Sequence, residues 1–192
     1  MNIVMFNYYI EPKVIPDFLT EDEIEYIKKE SINTLTPSGV FDDLHGEYHH
    51  DIGIRNCEST WIKFGDPIVD SVVRRCVGLT NKPFINCEEL QVTRYKPGGF
   101  YAPHQDVEPD SYTNRRLYTI LMVLNDDYEG GETIFPNLDI KYKLKKGDAL
   151  FFQTTDNHEQ KTRFALHGGL GVNSGEKWIC NLWVHKYPYA WT

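Results

Sequence analysis

The sequence predicts a mostly β fold, a sandwich or barrel with α-helices packed beside it at the N-terminal side. Three observations carry this expectation. From about residue 86 onward, at least seven short apolar or alternating runs are separated by turn signals, with no helical pattern between them. Helical periodicity is confined to the first 80 residues. Aromatic residues make up 14% of the 192 residues, and such side chains favour strands.

Taken in order, the chain begins with a short strand-like run before Pro16-Asp17-Phe18-Leu19. Thr20 with Glu23 three residues later reads as a capping box, opening a helix with Ile24 and Ile27 on its apolar face and ending near Glu30. Residues 33–58 are polar and turn-rich, and Asp42 to Asp51 reads as a mobile loop. Its adjacent His49 and His50 point opposite ways on an extended chain, so they do not converge on a metal. Ile52 to Ile54 reads as a short strand, followed by Arg55. Asp66-Pro67 opens a second helix with Ile68, Val72 and Val73 at helical spacing, ending near Gly78 and placed to back a sheet. Strands are predicted at Glu89–Tyr95, Phe100–Asp106, Leu117–Leu124, Glu132–Phe135, Gly147–Phe152, Phe164–His167 and Trp178–His185. Turns are predicted at Pro97-Gly98-Gly99, Asp126–Gly131, Pro136-Asn137 and Gly168-Gly169. With no repeat or linker, the expectation is a single domain over 1–192, with a helical buttress at about 15–80 and a β core at about 86–187.

A net charge of −8 argues against nucleic acid or an anionic membrane as partner. Cys57, Cys76, Cys87 and Cys180 lack CxxC spacing, so neither a zinc site nor a redox pair is indicated and free buried thiols are expected. The N-terminal apolar run has no basic flank and is cut short by Glu11-Pro12. It reads as neither a signal peptide nor a membrane span, and the expected localisation is cytoplasmic. Nothing in the sequence fixes an oligomeric state.

The chemistry centres on His104-Gln105-Asp106. If Phe100–Asp106 is one strand, side chains at i and i+2 share a face, and an imidazole and a carboxylate aim at a common point. A second histidine would complete the facial set of non-haem Fe(II) oxygenases. Downstream stand His158, in the polar loop Thr154–Gln160, His167, after Phe164-Ala165-Leu166, and His185 on the last strand. His167 is the best third ligand by context. A lone strand histidine is more often a core residue, and the upstream His-X-Asp is what favours a ligand here. Lys177 enters an apolar strand, where its ammonium must snorkel outward or meet an anion. A carboxylate of an iron-bound cosubstrate would be such an anion.

An ordered set of residues now matches a known family. Tyr95-X-X-Gly98-X-X-Tyr101-X-X-His104-X-Asp106, Arg116-X-X-Thr119, Leu124-Asn125, Gly130-Gly131-Glu132-Thr133-X-Phe135-Pro136, Lys146-Gly147-Asp148-Ala149, His167, Lys177-Trp178 and Trp183-X-His185 together resemble the catalytic domain of prolyl 4-hydroxylases. These are Fe(II)- and 2-oxoglutarate-dependent dioxygenases. The resemblance runs from about Ile15 to the C-terminus and is densest from Glu88 to His185. It implies a double-stranded β-helix, or jelly roll, with Fe(II) on His104, Asp106 and His167. It further implies 2-oxoglutarate and O2 as cosubstrates and ascorbate as reductant. The far carboxylate of 2-oxoglutarate would pair with Lys177 and accept a hydrogen bond from Tyr95. Thr119 is a candidate for the same pocket and reads equally well as a satisfied core threonine.

On the substrate side the resemblance implies Glu88, Tyr101, Arg116, Trp183 and His185, with Arg55 before a lid-like segment. Tyr101 and Trp183 would pack on a target proline, Arg116 and His185 would contact the peptide, and residues 42–58 and 107–115 would form lids. A proline-rich peptide in polyproline II form suits an aromatic-lined groove. The implied activity is 4-hydroxylation of prolyl residues, with decarboxylation of 2-oxoglutarate to succinate and CO2. Two alternatives stand beside it. One is the same chemistry on a lysyl residue, a free amino acid or a small metabolite. The other is a non-catalytic jelly-roll binding module, against which the intact His-Asp-His set and Lys177 both speak. Gly168-Gly169-Leu170-Gly171 is more glycine-rich than is common in the family. The chain also lacks the additional parts and the secretory signal of the animal collagen enzymes, so it resembles the compact bacterial, algal or viral type.

Overall fold

Both helices form where their caps direct. The computed structural model describes residues 8–42, 47–107 and 113–189. The chain begins with β1 (Lys13–Ile15) and α1 (Glu21–Ser31). At the start of α1 the Thr20 hydroxyl accepts from the Glu23 N–H at 3.3 Å, and the Glu23 carboxylate accepts from the Thr20 N–H at 2.9 Å. Two otherwise unpaired donors of the first turn are thereby satisfied. Short strands follow: β2 (Thr36–Pro37), β3 (Val40–Asp42), β4 (Glu47–His49), β5 (Arg55–Asn56) and β6 (Glu58–Ile62). Then α2 (Pro67–Val77) is capped by Asp66 Oδ1, which accepts from the N–H groups of Ile68 and Val69. The remaining strands are β7 (Leu90–Tyr95), β8 (Phe100–His104), β9 (Arg116–Val123), β10 (Glu129–Gly130), β11 (Thr133–Phe135), β12 (Ile140–Tyr142), β13 (Ala149–Gln153), β14 (His167–Gly169), β15 (Val172–Ser174) and β16 (Lys177–His185).

Among the described residues these strands form an antiparallel seven-stranded sheet, order β1-β13-β9-β16-β7-β6-β2, and a five-stranded sheet, order β12-β11-β14-β8-β5, with two small ribbons. Strand alternation then divides the core in two. On the outer face of the large sheet, Leu90, Val92, Ile120, Met122, Cys180, Leu182 and Val184 pack against Ile24 and Ile27 of α1 and Val69, Val72, Val73 and Cys76 of α2. On its inner face, Tyr95, Leu121, Val123, Leu150, Phe152 and Ile179 cluster with Phe135 of the smaller sheet. A paired contact between Arg75 and Glu23, at 3.1 and 2.7 Å, ties the two helices together.

Several expectations need correction. Residues 36–62, expected to be polar and turn-rich through 58 with one short strand at 52–54, carry five strands. These strands are two to five residues long and mostly polar, too short for alternation to register in the sequence. They form because they pair: β6 runs alongside β7 from Glu58↔Arg94 to Ile62↔Leu90. The large sheet thus takes β2 and β6 from the segment expected to be a helical buttress, and β1 from the strand-like run before Pro16. Ile52–Ile54 is a turn, with the N–H groups of Ile54 and Arg55 bonded to the Asp51 carbonyl, and the strand begins at Arg55. β8 stops at His104, so Asp106 lies on a bend beyond it. Phe164 and Ala165 belong to a 3-10 turn, Arg163–Ala165, started by the Thr162 hydroxyl. The strand begins only at His167, and Gly168-Gly169 continues it where a turn was expected. Glycine is needed at 168 for close strand approach: a Cβ there would lie 2.9 Å from the Tyr101 carbonyl oxygen and 3.0 Å from Pro103 N. β10, β12 and β15 were not foreseen, each being two or three residues long. Parts of both expected lids, residues 43–46 and 108–112, lie outside the described residues. All four cysteines are free. Among the described residues no helix is long and apolar enough to cross a membrane.

Candidate active site

The inner face of the large sheet is where the chemistry gathers. Along β16 the alternate residues Lys177, Ile179, Asn181, Trp183 and His185 face inward, while the residues between them pack on the helices. Gln91 and Tyr95 on β7 and Thr119 and Leu121 on β9 extend the same surface. The smaller sheet faces it with His104 and His167, and the two walls enclose a cleft of about 1390 Å³.

His104 and His167 are direct cross-strand partners in β8 and β14, with ring centroids 4.5 Å apart. Asp106 joins them from the bend. Its Oδ1 lies 3.4 Å from His104 Nε2 and its Oδ2 3.6 Å from His167 Nε2. One ligand atom from each residue falls within 4.8 Å of the others. Each histidine Nδ1 meets a carbonyl two residues back, Ala102 at 2.9 Å and Ala165 at 3.0 Å. A carbonyl only accepts, so each Nδ1 donates to it, which leaves the Nε2 of each ring on the Asp106 side. Burial pushes His167 down to about 4, which keeps its imidazole neutral near pH 7. Burial opposes ionisation of Asp106, but the neighbouring imidazoles and the Arg116 guanidinium outweigh it and hold the carboxyl well below its usual range. Two imidazoles and one carboxylate on an open cleft are the donor set suited to Fe(II).

Asp106 is also held from behind. Its Oδ2 accepts from Thr119 Oγ1 at 2.7 Å and from Trp183 Nε1 at 2.9 Å. Thr119, a candidate for the cosubstrate pocket or for a satisfied core threonine, is buried, lines the cleft and bonds the candidate ligand. Trp183 lies between the Arg116 guanidinium, 4.2 Å from its ring, and Trp61, 5.7 Å away.

At one end of the cleft Lys177 stands opposite Tyr95 in the β16–β7 register. Lys177 is 4% exposed, and its Nζ donates to the Gly131 carbonyl at 2.7 Å. Among the described residues no carboxylate forms an ion pair with it. Burial, reinforced by Lys143, lowers its pKa to about 8. Burial pushes the Tyr95 hydroxyl well above its ordinary value, so it remains an O–H donor. Arg55 reaches this end through Cys57 Sγ at 3.2 Å and Gln91 Oε1 at 3.4 Å, and lies 4.5 Å over the Tyr101 ring.

At the other end Glu88, Arg116 and His185 meet and bind each other. Buried Glu88 takes both Arg116 Nε and, at 2.9 Å, Nη2, while His185 Nε2 lies 2.7 Å from its Oε1. Burial would raise the Glu88 carboxyl, and these partners hold it low instead. His185 Nδ1 lies 2.7 Å from the Asn114 carbonyl. The Tyr101 ring stacks on His104, 3.6 Å between centroids and 16° from parallel, so it shares that ligand's surroundings. His158 stays apart in its loop, with its N–H on Asp156. Gln91, Asn181 and Trp61 also line the cleft and were not anticipated. Counting by twos from Lys177 would have found Asn181, whose buried Oδ1 has no hydrogen-bond partner among the described residues.

Comparison with known proteins fits this geometry. The model of the 2OG-Fe(II) oxygenase superfamily matches residues 90–185. A protein of Acanthamoeba polyphaga mimivirus, provisionally named a prolyl 4-hydroxylase, is 39% identical over 150 residues, covering 73% of this chain and 62% of the relative. Prolyl 4-hydroxylase 1 of Arabidopsis thaliana is 33% identical over 197 residues, covering 90% of this chain and 68% of the relative. The chain therefore spans about two thirds of the length of these two proteins. Among solved structures, a viral collagen prolyl hydroxylase from Paramecium bursaria Chlorella virus-1, in complex with 2-oxoglutarate, superposes with a TM-score of 0.75 at 32% identity. That match covers 92% of this chain and 96% of the viral one, and the shared architecture is the jelly roll. This chain belongs to the 2-oxoglutarate- and Fe(II)-dependent oxygenase superfamily, as a member of its prolyl 4-hydroxylase family.

Proposed function

We propose that this chain hydroxylates prolyl residues of a peptide or protein at the 4-position, converting 2-oxoglutarate to succinate and CO2, with ascorbate as reductant. The observation that carries the proposal is the placement of three groups on one cleft. His104, Asp106 and His167 lie at its floor, buried Lys177 at one end, and Tyr101, Trp183 and the Glu88-Arg116-His185 network at the other. The two relatives and the viral structure are named for prolyl hydroxylation, which supports the choice of target.

In this mechanism His104, Asp106 and His167 hold Fe(II). Iron with 2-oxoglutarate and O2 supplies the oxidising power that inserts one oxygen atom into a C–H bond. Lys177 and Tyr95 receive the far carboxylate of 2-oxoglutarate, the first as a cation and the second as an O–H donor, and so set the cosubstrate's direction in the cleft. The Tyr101 ring, stacked on His104, forms a flat wall for the pyrrolidine ring beside the metal site. Glu88 fixes the Arg116 guanidinium and the His185 ring at this end of the cleft, so that both face the peptide without further ordering. Ile179 and Leu121 keep the floor apolar and exclude water from the reacting centre.

The test is incubation with Fe(II), ascorbate and 2-oxoglutarate, with and without proline-rich peptides, measuring succinate and peptide mass. The expected result is peptide-dependent succinate with a matching gain of one oxygen atom. Turnover only with lysyl peptides, free amino acids or small metabolites would move the activity to that target. Absence of turnover with all of them would overturn the enzymatic reading.

A further inference from the structure

Asp106 is the one candidate ligand that no strand holds. His104 and His167 sit in paired strands, and each ring is fixed by its own Nδ1–carbonyl bond. A carboxylate on a bend has two torsions to turn about and two oxygens to offer. Both constraints on it come from the opposite sheet. Thr119 Oγ1 and Trp183 Nε1 converge on the same oxygen, Oδ2, at 2.7 and 2.9 Å. The two donors are cross-strand partners in the β9–β16 register, Trp183↔Thr119, and are 7% and 2% exposed. The Trp183 ring is itself flanked by Arg116 and Trp61, so its N–H is aimed before any ion arrives.

We propose that Thr119 and Trp183 are positioning residues that commit Oδ2 to the protein and reserve Oδ1 for the metal. The proposal rests on the metal site described above and gives it a defined denticity. An oxygen accepting two short hydrogen bonds has little lone-pair density left for an ion. Asp106 then contributes one donor atom and not two.

The experiment measures Mn(II) affinity by calorimetry and the Co(II) absorption spectrum, on the full chain, without peptide or turnover. The variants are Thr119→Val, which removes the hydroxyl at constant shape, Thr119→Ser, which keeps it, and Trp183→Phe, which removes only the ring N–H donor and part of the ring. Thermal unfolding of each accompanies the binding data. Loss of such outer partners typically weakens metal binding about 10- to 100-fold. Thr119→Val and Trp183→Phe are each expected to lose affinity in this range and to alter the Co(II) spectrum. Thr119→Ser is expected to bind as the parent does. Parent-like Mn(II) affinity in either Thr119→Val or Trp183→Phe would overturn the two-point clamp. If Trp183→Phe does not fold, the Val and Ser variants at 119 still decide whether the hydroxyl acts on the metal. A parent chain that bound no Mn(II) would overturn the metal site as well. Failure of prolyl turnover with Mn(II) binding intact would leave the clamp standing and sink only the choice of substrate.

Discussion

The proposed role of Lys177 makes cosubstrate binding depend on pH in a calculable way. Without a carboxylate beside it, burial lowers the pKa of this ammonium to about 8, against an ordinary lysine value of 10.5. Between these values the unfolded chain holds a proton that the folded chain has released, so this group's contribution to stability rises with pH across that window. Below pH 8 the buried charge costs on the order of 3 kcal/mol, which a carboxylate from 2-oxoglutarate offsets. Only the protonated form can make that pair. At pH 9 roughly one molecule in eleven carries the proton, so affinity falls about tenfold from its value at pH 7, or about 1.4 kcal/mol. Because binding restores the ammonium, 2-oxoglutarate should take up close to one proton above pH 8. Calorimetry on the Mn(II)-loaded chain from pH 7 to 9.5, in two buffers of different ionisation heat, reads both quantities. Lys177→Arg should flatten the profile, since a guanidinium stays charged throughout. Lys177→Met should flatten it and weaken binding at every pH. A wild-type affinity constant from pH 7 to 9.5, with no proton uptake, would refute the assignment.

Other outcomes follow from neighbouring features. His167→Ala should abolish metal-dependent activity and Mn(II) binding, while His158→Ala should leave both unchanged. Loss of binding only in the latter would relocate the site. Chelation of the metal should lower the thermal unfolding temperature, because an ion held by His104 and His167 would tie β8 to β14, and an unchanged midpoint would contradict that tie. Glu88→Ala should destabilise the fold by about 3–5 kcal/mol in chemical denaturation, since it leaves the guanidinium of Arg116 and the ring of His185 without their buried anion. A change below about 1 kcal/mol would show that water replaces it. Gly168→Ala should cost about 1–3 kcal/mol and weaken Mn(II) binding, because the new Cβ meets backbone atoms of β8 that cannot swing aside.

How far the site could be read from the sequence depends on the range of the interactions. β16 is nine residues long and alternates cleanly, so Lys177, Trp183 and His185 fall on one face by counting alone. His104 and Asp106 were identified through a spacing that presumed a continuous strand. The strand ends between them, and what unites them is the fold around the bend. His167 was placed at the end of a strand and proves to be its first residue. The close contact that demands glycine at 168 had looked like a turn. β2 to β6 left little trace because their stability comes from partners and not from their own side chains. Thr119 and Trp183 were both singled out, but not as donors to Asp106. Thr119 lies 13 residues from it along the chain and Trp183 lies 77 away, and no local pattern encodes such meetings.

The hydrogen bond from Trp183 to Asp106 also bears on how this cleft can diversify. The same indole lines the cleft and donates to the carboxylate of Asp106. A change of residue there to admit a different substrate would loosen the metal's support in the same step. Thr119 carries a similar double constraint. Residues at the rim, such as exposed Trp61 and the stretch from Thr36 to Gly39, touch the cleft without touching any candidate ligand. New specificities are therefore most accessible through the rim, over a floor whose composition is tied to holding the ion.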